Sequence, residues 1–366
     1  MDYILTFGAF VIGFLLVFIT VPPIIRVAHA KHLFEPFDER RIHTKVVPPM
    51  GGVAIFIGFT LSSIIATDGI SFDALKYIIA SVIIMFFIGL KDDLLDISAR
   101  KKLMVQIFAA VIIIALGNVR FTHLHGILGT GETGYIASFL LSVFAMVVII
   151  NAFNLIDGID GLASGLAMLA ATAFGVWFLI AGHTQFAILS FALVGSLAGF
   201  FIYNVFGHQN KLFMGDTGSL IIGLVISALV VKFNEFNINS ALYAIEAAPA
   251  VSFAIIIVPL VDTLRVMTIR IYNKKSPFIA DNNHIHHRLL GLVSSHLKVT
   301  IIIVSVNLLI IAFALLLNQL SLNVNIQFIL ILLTGVVFSY IPSIILKIKS
   351  VEKIENAKSI NQLSKI

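Results

Sequence analysis

The chain has 366 residues, of which 59% are hydrophobic and only 12% charged, and its mean hydropathy is +1.05. That composition excludes a soluble globular domain and defines a polytopic membrane protein. Cysteine is absent, which rules out disulfides, and the formal charge of +5 needs no nucleic-acid partner, because basic loops on one membrane face account for it.

The first apolar segment, from Ile4 to about Ala28, lacks a basic n-region and a small-residue cleavage site. It reads as a retained span and not as a signal peptide. A span needs roughly 20 mostly apolar residues. Candidates run near 4–28, 50–67, 74–90, 103–117, 135–153, 161–181, 185–206, 217–232, 241–263, 299–317 and 325–346, the fourth being short. Loops 29–49, 91–102, 154–160, 207–216 and 264–298 and the C-terminal tail then share one side. This scheme leaves only Lys76, Arg120 and Lys232 of the 24 Lys and Arg on the other side. The basic side is therefore expected to be cytoplasmic, with the N-terminus outside and the C-terminus inside. The expectation is an all-α polytopic membrane protein of about eleven transmembrane helices. Residues 1–350 form one integral-membrane domain. In the tail, 351–366, Val351, Ile354, Ile360, Leu363 and Ile366 fall at helical spacing, which predicts an amphipathic helix on the cytoplasmic surface. The Gly-rich outer loop RFTHLHGILGTGETG predicts a small hairpin.

The polar clusters fall in the loops of the basic side. Loop one ends in KVVPPMGG: Pro48 and Pro49 stop regular structure, Gly51 and Gly52 open the second span, and Lys45 is placed to reach an anion. In GLKDDLLDIS, Asp92 and Asp93 end an apolar helix, with Lys91 before and Arg100, Lys101 and Lys102 after. Neighbouring carboxylates repel unless a cation sits near them, and an ion-pair network explains this motif as well as catalysis does. In NAFNLIDGIDGLASG, Asn151, Asn154, Asp157 and Asp160 recur every third residue. If the preceding helix continues, they form one slanting stripe. Gly158 and Gly161 leave room there for a ligand or another backbone. A polar turn that merely ends two helices is the plainer explanation.

In GHQNKLFMGDTGSL, Asp216 or Thr217 suffices as an N-cap. A helix start flanked by glycines is also an anion site, where an Asp holds Mg²⁺ while ligand phosphates take the amides. Phe213 is either a stacking platform for a base or one more of 31 Phe. The last loop crowds His284, His286, His287 and Arg288 into NNHIHHRLL. No H-E-x-x-H pattern and no cysteine favours zinc here, and His with Arg suits diphosphate oxygens. The ninth span carries Pro249 and Pro259 and is predicted to kink, opening a lipid-facing groove. Five acids, a Lys, a His cluster and Gly-rich helix starts on one face suit Mg²⁺ and a soluble phosphorylated substrate. The partner substrate is then a lipid phosphate at the interface.

In order, PPMGG, KDDLLD, NAFNLIDGIDGLASG, FMGDTGSL and NNHIHHRLL resemble the polyprenyl-phosphate N-acetylhexosamine-1-phosphate transferases, over about Asp38 to Gly291. The resemblance implies transfer of a sugar 1-phosphate from a UDP-N-acetylhexosamine to undecaprenyl phosphate, releasing UMP, with Mg²⁺ or Mn²⁺, at the cytoplasmic face of a bacterial inner membrane. It implies Asp216 as metal ligand and Asp92 as the acid proposed as base. Lys45, Asp160 and Phe213 match positions that hold the uridine. Asp93, Asp157, Asn154, His284, His286, His287 and Arg288 match other active-site positions. A homodimer is compatible with this reading. The run Asn283-His284-Ile285-His286-His287-Arg288 resembles the GlcNAc-1-phosphate branch more than the Pro-Leu-His-His-His run of the phospho-MurNAc-pentapeptide transferases, the alternative. Asn282 and Asn283 depart from the pattern, since relatives often carry a basic residue just before the first His. A secondary transporter is a further alternative, but its ionisable residues would lie near the midplane.

Overall fold

The computed structural model describes residues 2–33, 47–67, 73–239, 243–276 and 283–363, with side chains beyond 349 outside that description. In chain order the helices are α1 (Asp2–Ala30), α2 (Gly51–Ala66), α3 (Asp73–Leu95), α4 (Ala99–Ala115), α5 (Tyr135–Ile156), α6 (Leu162–Ile180) and α7 (Thr184–Phe206). They continue as α8 (Gly215–Asn239), α9 (Ala248–Ile255), α10 (Ile257–Tyr272), α11 (Ile285–Leu290), α12 (His296–Gln319) and α13 (Val324–Leu363). Each predicted span corresponds to a helix, or for 241–263 to the pair α9 and α10. Among the described residues eight helices are long and apolar enough to cross a membrane, nine with that bent pair. α2, with 16 residues, and α4, with 17, are shorter than a full span.

α8 is the axis of the bundle. It packs against α2, α3, α5, α6 and α9, and 83% of its membrane window is buried. A helix apolar all round belongs in an interior. Small residues on its neighbours let backbones approach. A Cβ at Gly52 of α2 would overlap the backbone of Gly218 and Thr217. The Pro48–Gly52 segment is tied to the start of α8 by backbone hydrogen bonds: Phe213 N–H to Pro48 O at 3.1 Å, Gly51 N–H to Phe213 O at 2.8 Å and Gly52 N–H to Met214 O at 2.9 Å. The Pro-Pro-Met-Gly-Gly run is thus the strap that seats α8.

The predicted kink is present. α9 and α10 meet at Ile256 with a 76° bend. Pro259 lies in the first turn of α10, where its missing N–H is tolerated; in a continuous helix its ring would clash with the carbonyl of Ile255. Beyond the bend, α10, α11, α12 and α13 enclose an apolar groove of about 200 Å³, lined by Val258, Val261, Ile285, Leu289, Ile303 and Phe338 among others. The loop between α4 and α5, predicted as a hairpin, folds back through one isolated bridge, His123 to Glu132, and no strand forms among the described residues. Thr122 of this loop donates to Glu235 of α8 through both N–H and Oγ1, each at 2.7 Å. The tail continues α13 as helix to Leu363.

Candidate active site

α3 ends with Asp92 and Asp93 in its last turn. Adjacent helical residues point about 100° apart, so the two carboxylates face different neighbours. Asp93 Oδ1 accepts the Asp216 N–H at 2.6 Å, while Oδ2 accepts the Thr217 N–H at 3.1 Å and the Thr217 hydroxyl at 2.6 Å. It therefore satisfies the positive end of α8. This corrects one expectation. The anion at this helix start is a carboxylate from α3, so the amides of Asp216 and Thr217 are not available to ligand phosphates.

Asp92 faces the other way. Its Oδ1 accepts the Ile97 N–H at 2.6 Å, and its Oδ2 pairs with Lys102 at the start of α4. The same Lys102 Nζ reaches Asp216 Oδ2 at 2.8 Å. Asp216 Oδ1 accepts from Asn154 Nδ2, which also meets Ser219 Oγ at 2.9 Å. One ammonium thus bridges carboxylates from α3 and α8, and an amide from α5 closes the far side. The polar stripe on α5 is only half helical, because α5 stops at Ile156. Asn151 exchanges hydrogen bonds with Gln106 of α4, and Asp157 and Asp160 lie in the loop beyond.

Asp157 has no hydrogen-bond partner among the described residues. Burial first, and then the charges of Asp216, Asp93 and Asp160, push its carboxyl up to about 8. Asp160 is the opposite case. Burial alone would raise it, but Lys211 Nζ at 2.7 Å and His296 Nδ1 at 2.9 Å outweigh that and hold it below the usual carboxylate range. Lys211 also lies over the Phe213 ring, 5.7 Å from its centroid. The space beside Gly158 is filled by protein: a Cβ there would overlap the His286 ring. That contact joins the His segment to the acid cluster. His286 is 1% exposed, and neither ring nitrogen has a partner among the described residues. Burial, then His287, lower its pKa to about 3, so the ring is neutral. Arg288 Nη2 donates to Asn283 Oδ1 at 2.5 Å, and its buried Nε has no partner. An anion entering here would meet unspent donors.

The donor set bears on the expected metal. Among the described residues no three carboxylates or imidazoles converge as a ready-made cage. Asp92 and Asp216 offer hard oxygens on either side of Lys102, and Asp157 lies near enough for the charge of Asp216 to raise its pKa. Mg²⁺ is commonly held by one or two carboxylates plus substrate phosphates, and this set fits that pattern.

Lys45 and Asn282 lie outside the described residues. Lys211, His296, Asp262 and Arg265 are site residues that sequence reasoning missed, and Lys102 was named beside the acids without a role of its own. Lys102 had a signal: Gln106, four residues on, shares its helix face and is a polar residue inside an apolar helix. Lys211 and His296 had none, since their common partner Asp160 is 51 and 136 residues away.

Fold and site together define a polytopic helical membrane protein with a carboxylate-rich site, bridged by one lysine, at one end of its bundle. Comparison with known proteins agrees. Residues 75–234 match the model of glycosyl transferase family 4. Over 291 residues the chain is 34% identical to the probable undecaprenyl-phosphate N-acetylglucosaminyl 1-phosphate transferase of Bacillus subtilis (strain 168), covering 79% of this chain and 78% of that protein. It is 30% identical over 269 residues to the undecaprenyl-phosphate alpha-N-acetylglucosaminyl 1-phosphate transferase of Escherichia coli (strain K12), 72% of this chain and 70% of that one. It is 32% identical over 289 residues to the decaprenyl-phosphate N-acetylglucosaminephosphotransferase of Mycolicibacterium smegmatis (strain ATCC 700084 / mc(2)155), with 72% and 70% covered. The chain belongs to glycosyl transferase family 4, on the side of the N-acetylglucosaminyl 1-phosphate transferases.

Proposed function

We propose that this chain transfers N-acetylglucosamine 1-phosphate, or that of a close N-acetylhexosamine, from a UDP-sugar to undecaprenyl phosphate and releases UMP. The reaction is placed at the cytoplasmic face of the bacterial inner membrane, as first step of a cell-envelope glycan such as a teichoic acid, O-antigen or capsule. One observation carries the reading: Ile285 and Leu289 of α11 line the apolar groove, and His286 of the same helix packs on Gly158, the residue after Asp157. A prenyl chain in the groove would bring its phosphate to the acids, lysine and histidines. The names of the relatives support the same chemistry.

A lipid-phosphate oxygen attacks the phosphorus next to the sugar, a P–O bond to that atom forms, and the P–O bond to UMP breaks. A phosphate monoester is mostly dianionic at neutral pH, its second pKa being about 6, so a general base contributes little. The larger obstacle is repulsion between dianion and diphosphate. Lys102 and Arg288 reduce it and neutralise departing UMP. Mg²⁺, or Mn²⁺, held by Asp216 with Asp92 or Asp157, would supply further charge neutralisation. At the other end, Asp160 offers an acceptor flanked by donors Lys211 and His296. The uracil edge alternates acceptor, donor, acceptor and matches that pattern, with Phe213 beside it for stacking.

The test is purified protein with undecaprenyl phosphate and labelled donors offered one at a time. UDP-GlcNAc or a close relative should label the lipid with equimolar UMP release, and UDP-MurNAc-pentapeptide should not. Labelling from the muramyl donor alone would overturn the branch, and no UMP from any donor would overturn the reading.

A further inference from the structure

Asp262 lies on α10, six residues beyond the bend at Ile256, and is 2% exposed. Its carboxylate is fully used. Oδ2 meets His284 Nδ1 at 2.8 Å, and Oδ1 accepts the Ile285 N–H at 2.8 Å and Arg265 Nη2 at 3.1 Å. Arg265 Nη2 also donates to the Asn283 carbonyl at 2.6 Å. One carboxylate and one guanidinium, a helical turn apart, thus grip three consecutive residues, 283 to 285. A carboxylate only accepts, so the His284 proton facing it sits on Nδ1 and Nε2 is left on the far side of the ring. That ring stacks on His286, centroids 5.7 Å apart and planes 14° off parallel, and His286 packs on Gly158.

We propose that Asp262 is a positioning residue for the transfer reaction: through His284 Nδ1 and the Ile285 amide it fixes the tautomer and orientation of the His284–Arg288 segment against the acid cluster. This rests on the transferase reading above. A buried ion pair is an expensive way to join two elements, and packed apolar side chains would serve stability as well. What the charged pair adds is direction. It sets which nitrogen of His284 carries the proton, and through the stacked rings it sets where His286 stands. Carboxylates behind catalytic or metal-binding imidazoles act in this way elsewhere.

The experiment uses the full chain in detergent or nanodiscs. In Asp262→Asn the carboxamide retains one acceptor for three donors, so His284 loses its partner. Turnover should fall about 10- to 100-fold, with KM for the UDP-sugar changed by less than about 3-fold; the melting temperature should also fall, because Arg265 keeps a buried charge without its partner, so rates are compared at a temperature where both proteins are folded. Asp262→Glu should recover part of the rate. The double variant Asp262→Asn with His284→Ala should be no slower than His284→Ala alone, because both remove one function. ¹⁵N-histidine NMR reads the tautomer without turnover: His284 should be Nδ1-protonated in the wild type and lose that form in Asp262→Asn. Wild-type turnover in Asp262→Asn, losses that multiply in the double variant, or an unchanged tautomer would each overturn the proposal. If the wild type itself releases no UMP, the transferase reading fails, and the NMR result still decides whether Asp262 orients His284.

Discussion

Replacing Asp216 by Asn removes one of the two carboxylates bridged by Lys102, while its backbone N–H still donates to Asp93. The start of α8 therefore survives. Asp216→Asn should fold, melt close to wild type and lose turnover together with Mg²⁺ dependence; normal turnover at low Mg²⁺ would contradict its assignment as metal ligand. Asp157 gives a pH prediction. Its carboxyl ionises near 3.8 in the unfolded chain and at about 8 in the folded one. Between those values the folded protein holds a proton the unfolded chain has released, so folding loses favour as pH rises across that window. Asp157→Asn removes that slope. Measured in EDTA, its melting temperature should fall less than that of the wild type from about pH 5 to about pH 8. At this scale the sequence was legible in residue type and not in role. Asp92 and Asp93 stand side by side in the chain, and only the fold reveals that one meets Lys102 while the other caps α8. The partners of Asp93 in α8 lie 123 and 124 residues on, too far along the chain for local spacing to point to them, whereas Lys102 was in view without its role.

At the scale of elements, the contact between α2 and α8 depends on a missing side chain. Gly52→Ala puts a methyl group into the backbone of Gly218 and Thr217, which cannot yield as a flexible side chain would. Overpacking of this kind costs about 1–3 kcal/mol. Because Thr217 is also gripped by Asp93, the displacement should reach the site. The variant is expected to melt lower and turn over more slowly, as read by thermal shift and UMP release; a protein unchanged in both would show that α2 and α8 have slack. The bend between α9 and α10 was readable from Pro259, because proline acts locally. The helical stripe through Asp160 was over-read. The spacing fits a helix, but α5 ends at Ile156, where Asp157 departs to φ −76° and ψ 61°.

For the whole molecule, the charge rule makes a prediction about sidedness. Arg120 and Lys232, two of the three basic residues set apart by it, lie together at one end, where Lys232 Nζ meets the Asn118 carbonyl at 3.4 Å. The acids and the His segment gather at the other ends of the same helices. Because the chain has no cysteine, single thiols report each face. Thr130→Cys should react with an impermeant maleimide on intact cells, and Asn210→Cys only after the membrane is opened; the reverse pattern would invert the orientation. The fold class was legible because hydropathy is a property of long windows. The axial place of α8 was not, since burial against protein and burial against lipid read alike in an apolar sequence.

The strap that seats α8 also sets a clock. Gly51 and Gly52 bond to Phe213 and Met214, which are synthesised some 160 residues later. At roughly 5–20 residues per second, α2 emerges on the order of ten seconds before its partner exists. Through that interval the amides at its N-terminus have no mate in the chain and must stay hydrated at the interface. The short, glycine-led α2 is thus held as a waiting half-site, and assembly of the centre is gated by arrival of the FMGD segment. A nascent chain stopped before that point contains the paired aspartates of α3 but cannot close the strap.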